Sequence, residues 1–393
     1  MGFYTEPAFF ILLAVVVVIA AILGIAEKPL HKYGLAASVV MLALLFSESI
    51  PSLVFLLCYL AYSFALERFV ERLFRADNPR KVALYRVALA AQIAPLFVYK
   101  VGVLFDPGFL GFIGISYITF KSVQVLIEVR DGLIERVSAW HYLYFLVFFP
   151  TFTSGPIMRS RAFEKDLETP LSRDEYLTRL YRGTGWFVLG ALYKYVGASL
   201  ASWLMWFGPA AIGGSTTGAY VAAQLVYGFA YGLYLFFDFA GYSHMAVGAG
   251  FALGVEVPRN FRAPFLAIDI KDFWDRWHIT LSHWLRDFVF MRFTSAALDH
   301  SWFKSTLTAA CIGFVINMVL MGCWHGLTVE YLFYGLYHGV LLAACEAFQR
   351  TSGFYKKHRK ERWFKVCSWA VTMIAVFYGF ALFGGQAFHP IAV

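Results

Sequence analysis

The chain has 393 residues, of which 60% are hydrophobic and 19% aromatic against only 15% charged. Soluble domains carry about 25% charged residues, so this composition, with a mean hydropathy of +0.63, excludes a water-soluble protein of the same length. The formal charge of +8 does not point to nucleic acid, because the basic residues sit in short loops beside apolar runs and form no continuous basic face.

A membrane-spanning helix needs about 20 apolar residues. In chain order, 8–26, 87–105, 109–128, 185–207, 219–237, 305–323, 329–348 and 364–385 approach that length, while 34–46 and 53–66 are shorter runs parted by Ser47-Glu-Ser-Ile-Pro51. The expected fold is all-α: a polytopic integral membrane protein with about eleven transmembrane helices plus re-entrant or interfacial helices, in a single domain over 1–393. The run 8–26 follows neither a basic leader nor a cleavage motif, and reads as a retained first helix.

Loop charge sets the expected orientation. Lysines at 28 and 32, the Arg-rich stretch 67–86, and seven Lys/Arg between Arg350 and Lys365 against Glu361 alone read as cytoplasmic by the positive-inside rule. The loops 47–52, 106–108 and 208–218 carry no Lys or Arg and read as outward, with the N-terminus outside. Alternation fails at 139–152, where both flanking loops are basic. That segment is expected to dip in and return, which a polar backbone tolerates only when buried in protein or lining a wet cavity.

Cys58, Cys311, Cys323, Cys345 and Cys367 form no CxxC pair and read as small core residues; no cluster has metal-ligand spacing, so no metal is expected. No GxSxG, P-loop or GxGxxG stands out.

The polar islands carry the chemistry. Ionisable groups near membrane depth cost several kcal/mol unless paired or solvated, so they are site candidates by default. The first island is Asp272-Phe-Trp-Asp-Arg-Trp-His278, followed by Leu281-Ser282. A helix starting near Ile268 is expected to place Trp274, Trp277, His278, Leu281 and Leu285 on one face, with Asp272 reaching Arg276 at i+4. The second is Gly322-Cys-Trp-His-Gly326. A neutral imidazole is cheaper to bury than Lys or Asp and titrates near neutrality, which makes His325 a base candidate. His278 is the second catalytic candidate, and Trp274, Trp277, Ser282, Trp324, Asp238, Tyr242 and Ser243 are candidate tunnel-lining residues. His244 reads as structural, and His31, His141, His283, His300, His338, His358 and His389 receive no role.

Together, Phe149-Pro-Thr-Phe-Thr-Ser-Gly-Pro-Ile157, Asp238-Phe-Ala-Gly-Tyr-Ser243, Asn260-Phe-Arg-Ala-Pro-Phe265, Asp272–His278 and Met321-Gly-Cys-Trp-His-Gly326 resemble the membrane-bound O-acyltransferases in order and spacing over about 85–350, the expected catalytic core. The run from Ile270 to Phe293 is most similar to the DltB branch, the D-alanyltransferases of teichoic-acid D-alanylation; the exopolysaccharide O-acetyltransferases, such as those acting on alginate, are the alternative. The resemblance implies a ring of helices around a thin centre, a cytoplasmic funnel and His325 near a tunnel floor. It implies D-alanine as a thioester on the 4′-phosphopantetheine of a small acidic carrier protein, partner membrane proteins on the acceptor side, a bacterial cytoplasmic membrane, and no cofactor bound to the chain itself. Arg262, Lys271 and Arg286 are the basic residues expected to dock the carrier. A transporter or flippase would call for inverted repeats with broken helices, and none is visible; a non-catalytic scaffold requires that both histidines be merely structural.

Overall fold

A computed structural model of the chain describes residues 2–106, 108–109, 111–212 and 216–389. The described residues are helical and contain no strand. The chain separates into two compact units, Met1–Gly190 with Tyr242–Pro258, and Ala191–Gly241 with Arg259–Val393.

The first unit is built from α1 (Pro7–Ile25), α2 (His31–Leu45), α3 (Ile50–Arg75), α4 (Lys81–Phe105), α5 (Ile115–Arg130), α6 (Ala139–Val147), α7 (Ser160–Glu168) and α8 (Arg173–Ala191). Its core lies along α5, where every residue but Ser116 and Arg130 is buried. A helix covered on all sides sits inside the protein rather than against solvent, and α5 buries polar groups there: Thr119, Lys121, Ser122, Gln124 and Glu128 are each at most 3% exposed. These groups have partners. Tyr59 Oη pairs with Thr119 Oγ1 at 2.7 Å, Gln92 Nε2 donates to Tyr59 Oη and Ser63 Oγ at 3.0 Å each, and Gln124 Nε2 donates to the Met158 carbonyl at 3.1 Å.

The segment expected to re-enter is the nine-residue α6 followed by a single 3₁₀ turn, Phe149–Thr151. Nine helical residues rise only about 14 Å, less than half of the ~30 Å hydrocarbon core, so α6 cannot cross alone. Its end is pinned from three sides. Lys121 Nζ donates to the Phe145 carbonyl at 2.8 Å and to Thr151 Oγ1 at 3.4 Å, Ser38 Oγ accepts from the Phe149 amide at 3.3 Å, and Tyr4 Oη donates to the Pro150 carbonyl at 3.4 Å.

A π-helical stretch, Leu192–Gly197, leads from α8 to α9 (Ala198–Ile212), and α10 (Thr217–Ala252) follows. The second unit holds α9 and α10 up to Gly241, then α11 (Ile270–Trp274), α12 (Ile279–Leu285), α13 (Met291–Asp299), α14 (Thr306–His325), α15 (Val329–Thr351), α16 (Gly353–His358) and α17 (Arg362–Phe383).

Seven helical stretches among the described residues are long and apolar enough to cross a membrane, with His31–Leu45 a shorter apolar helix. That multi-pass pattern agrees with the expected class, while the figure of eleven is not reached on length and composition. The run 53–66, read as short, is the middle of the 26-residue α3. All five cysteines are free, but Cys58 and Cys367 are exposed: they lie on outer faces of α3 and α17, not in the core, because an apolar exterior accepts a thiol as readily as a core does. Pro107, Leu110 and 213–215, which belong to the expected outward loops and to the run 109–128, fall outside the described residues.

Impermeant thiol labelling of single cysteines placed at Ser138, Ser160, Ser215 and Ser352, in a cysteine-free background, tests the orientation. Only position 215 is expected to react in intact cells, the others requiring permeabilisation. Outside labelling at 160 would mean that 139–152 crosses.

Candidate active site

Asp269 opens α11 by accepting hydrogen bonds from the Lys271 and Asp272 amides at 2.9 Å each, a carboxylate N-cap. The helix then stops after five residues. The continuous face expected through Leu285 does not form: a turn at Asp275–His278 separates α11 from α12. The physical reason lies in the backbone of His278, which is left-handed with φ 44° and cannot continue a right-handed helix. The i,i+4 pair survives the break, with Arg276 Nε 2.6 Å from Asp272 Oδ1.

Asn260 holds this turn. Its backbone carbonyl accepts from the Ile279 amide at 2.9 Å, and its side-chain Oδ1 accepts from the Thr280 amide at 3.3 Å and the Thr280 hydroxyl at 2.6 Å. The Arg262 amide donates to the Arg276 carbonyl at 3.0 Å. Asn260 is fully buried, so the Asn260–Phe265 run works as a clamp on the residue before α12. A left-handed non-glycine residue costs about 1–2 kcal/mol, which these bonds offset.

His325 is the last residue of α14. Its position follows from a close α14–α15 hairpin. A Cβ at Gly335 would lie 2.5 Å from the Met318 carbonyl oxygen, and one at Gly339 would lie 2.8 Å from Val315 Cα, so only glycine allows this approach.

The two candidate histidines belong to one aromatic cluster in the second unit. The Trp324 ring centroid lies 6.0 Å from that of His278 and 4.7 Å from that of His325. Phe239 meets His278 edge-on at 4.7 Å, and Phe383 meets His325 edge-on at 5.0 Å, with Tyr331 and Tyr334 at 6.0 and 6.4 Å. His278 is 3% exposed, and its Nε2 has no hydrogen-bond partner among the described residues. Burial, reinforced by nearby His325, holds the His278 imidazole well below its ordinary pKa, so it is neutral at pH 7. Ser282 does not engage its side chain: the hydroxyl donates to the Trp277 carbonyl at 3.2 Å.

Trp274 and Trp277 are buried at 7% and 5% exposure. Trp277 packs on Phe273 at 5.5 Å and on Phe261 at 5.1 Å. Trp274 stands edge-on to His338 at 5.1 Å. A cavity of about 240 Å³ opens beside it, lined by Lys271, Trp274, Ser282, His283, Arg286 and Asn317 among others. Lys271 is tied to Glu346 at 2.6 Å and to Gln349 at 3.1 Å. Arg286 is half-exposed beside Asp287 at 3.1 Å, and Arg262 is exposed. Asp238 is paired with Lys194 at 2.5 Å, and its neighbour Phe239 is the residue that touches His278. Tyr242 and Ser243 belong to the first unit, where the Tyr242 hydroxyl meets that of Thr153 and its ring packs on Tyr4 at 4.8 Å.

Sequence reasoning missed His338. It is fully buried on α15, neither ring nitrogen has a hydrogen-bond partner among the described residues, and its ring lies 4.7 Å from Tyr334. The run Tyr331-Leu-Phe-Tyr-Gly-Leu-Tyr-His338 has no polar neighbour to flag it. Lys194 was also missed, hidden inside an apolar run.

These features coincide with a shared ancestry. The model of the MBOAT, membrane-bound O-acyltransferase, family matches residues 38–383. The chain belongs to this family, and is an acyltransferase of the multi-pass membrane type. It is 37% identical over 396 residues to the teichoic acid D-alanyltransferase of Bacillus subtilis, covering 98% of each chain. It is 33% identical to the protein of that name from Streptococcus thermophilus, over 97% of this chain and 94% of the other. A probable alginate O-acetylase of Pseudomonas syringae is 30% identical over 280 residues, 70% of this chain and 49% of its own.

Gly379 of α17 faces His338 so closely that an added Cβ would overlap its Nε2. Gly379→Ala should therefore displace the imidazole and, at a typical overpacking cost of about 1–3 kcal/mol, lower the unfolding midpoint in detergent. An unchanged midpoint with full activity would show that His338 has room to move.

Proposed function

We propose that the chain transfers a D-alanyl group from the phosphopantetheine thioester of a small acidic carrier protein to a hydroxyl acceptor, working with partner membrane proteins in teichoic-acid D-alanylation at the bacterial cytoplasmic membrane. The extent of similarity carries the choice of acyl group: relatives named D-alanyltransferase align over 97–98% of the chain, the alginate O-acetylases over 64–71%.

A thioester is already activated, so the protein has to position the reactants, take a proton and stabilise an oxyanion. His325 accepts the proton of the acceptor hydroxyl as its oxygen bonds to the thioester carbonyl carbon. The carbonyl oxygen gains negative charge in the tetrahedral adduct. In the tautomer with its proton on Nε2, the buried His278 donates to that oxygen. Collapse breaks the C–S bond, and the sulfur leaves with the proton held by His325, giving an ester and a free thiol. The aromatic walls keep the site dry, which strengthens both contacts. The cavity beside Trp274 is where the pantetheine arm would approach, with Arg286 at its rim.

Purified His325→Ala protein should insert and bind the carrier while D-alanyl transfer falls by about 10²–10⁴-fold, the usual worth of a positioned base. Turnover like wild type would remove His325 from the mechanism, and faster transfer from an acetyl-loaded donor would move the reading to O-acetylation.

If the cytoplasmic rim steers an acidic carrier, Arg262→Glu and Arg286→Glu should each weaken carrier binding several-fold, and added salt should weaken the wild type too. Lys271 is a poorer probe, since its reversal also breaks the bridge to Glu346. Salt-independent affinity, unchanged in both variants, would place docking elsewhere.

A further inference from the structure

Two short helices of the first unit bring together side chains that are far apart in sequence. His141 lies on α6, and Glu164 and Glu168 lie four residues apart on α7, hence on one face. Their candidate donor atoms all lie within 4.8 Å of one another. His141 Nδ1 is 3.2 Å from Glu164 Oε1, close to the ~3.3 Å that separates two ligands of a tetrahedral ion with bonds of 2.0–2.1 Å. The His31 ring, on the first residue of α2, is centred 6.5 Å from that of His141, and His31 is not part of that three-residue group. His31 and Glu168 also line one cavity of about 170 Å³. The nearby Asp166 is otherwise engaged, with Arg179 at 3.1 Å and the Glu256 amide at 2.7 Å.

We propose that His141, Glu164 and Glu168 form a zinc-type metal site that ties α7 to α6, with solvent as the fourth ligand. The ligand chemistry selects the ion. Imidazole with carboxylate suits Zn²⁺ and its neighbours, whereas Mg²⁺ and Ca²⁺ prefer all-oxygen sites. Two carboxylates on one helix face beside a half-buried imidazole supply two negative charges to a divalent cation held among them. The site's consequence is mechanical: the irregular stretch 152–159 joins α6 to α7, and a metal there closes that loop at its base. The site was invisible in the sequence, where no ligand spacing appears and His141 looks isolated. It is independent of the acyl-transfer reading.

The test uses the full-length protein, stripped with chelator in detergent and titrated with Zn²⁺ by calorimetry and with Co²⁺ by absorption. One equivalent of Zn²⁺ should bind at micromolar or lower concentration and raise the unfolding midpoint. Co²⁺ should give the visible bands of a four-coordinate nitrogen–oxygen site. Glu168→Gln changes an exposed residue and leaves the fold intact; it and His141→Gln should each weaken binding at least about tenfold. Should His141→Gln misfold, the Glu168→Gln titration and the wild-type Co²⁺ spectrum decide. Binding only at millimolar Zn²⁺, displacement by equimolar Mg²⁺, an octahedral Co²⁺ spectrum, or affinity unchanged by Glu168→Gln would each overturn the proposal.

Discussion

The candidate active site depends on one buried amide. Asn260 accepts three hydrogen bonds from Ile279 and Thr280, and these keep His278 in a backbone conformation that histidine does not adopt freely. The energetic logic is local: a strain of about 1–2 kcal/mol set against hydrogen bonds in a site from which water is excluded, where leaving them unmade costs about as much per group. Pre-organisation of this kind is what a transfer reaction with an activated donor needs most.

The second histidine is placed by a different device. Gly335 and Gly339 remove side chains from the face of α15 that meets α14, so the helices pack backbone to backbone along the hairpin that carries His325 at the end of α14. One catalytic candidate is therefore held by polar bonds and the other by close packing. Trp324 bridges them, with its ring within 6.0 Å of each.

Much of this was legible in the chain. The apolar runs gave the helical membrane class because spanning length and composition leave few alternatives, and the two polar islands stood out against an apolar background. Short helices were harder. The amphipathic pattern from Ile268 to Leu285 fits a helix, and nothing in it announces that Asn260, earlier in the chain, breaks that helix at His278. Asp238 has its ion-pair partner, Lys194, inside an apolar run, so that pair could not be read from the sequence. His338 and the His141–Glu164–Glu168 group escaped for the same reason: each becomes significant through neighbours on other helices. Loop charge marks 139–152 as unusual, since basic flanks on both sides conflict with a single crossing under the positive-inside rule, and the helix found there has only nine residues.

The Lys121 contact carries an implication for how the chain is assembled. α6 is too short to enter the bilayer as an independent span, and its terminal carbonyls would face hydrocarbon with no partner. The donor that satisfies the Phe145 carbonyl sits on α5, which itself buries five polar side chains and gains cover only from its neighbours. Neither element is self-sufficient as an inserting segment. The Phe145 carbonyl therefore has its donor only where α5 is packed beside α6. The end of α6 thus owes its place to tertiary hydrogen bonds from α5 and α2, not to its own apolar length.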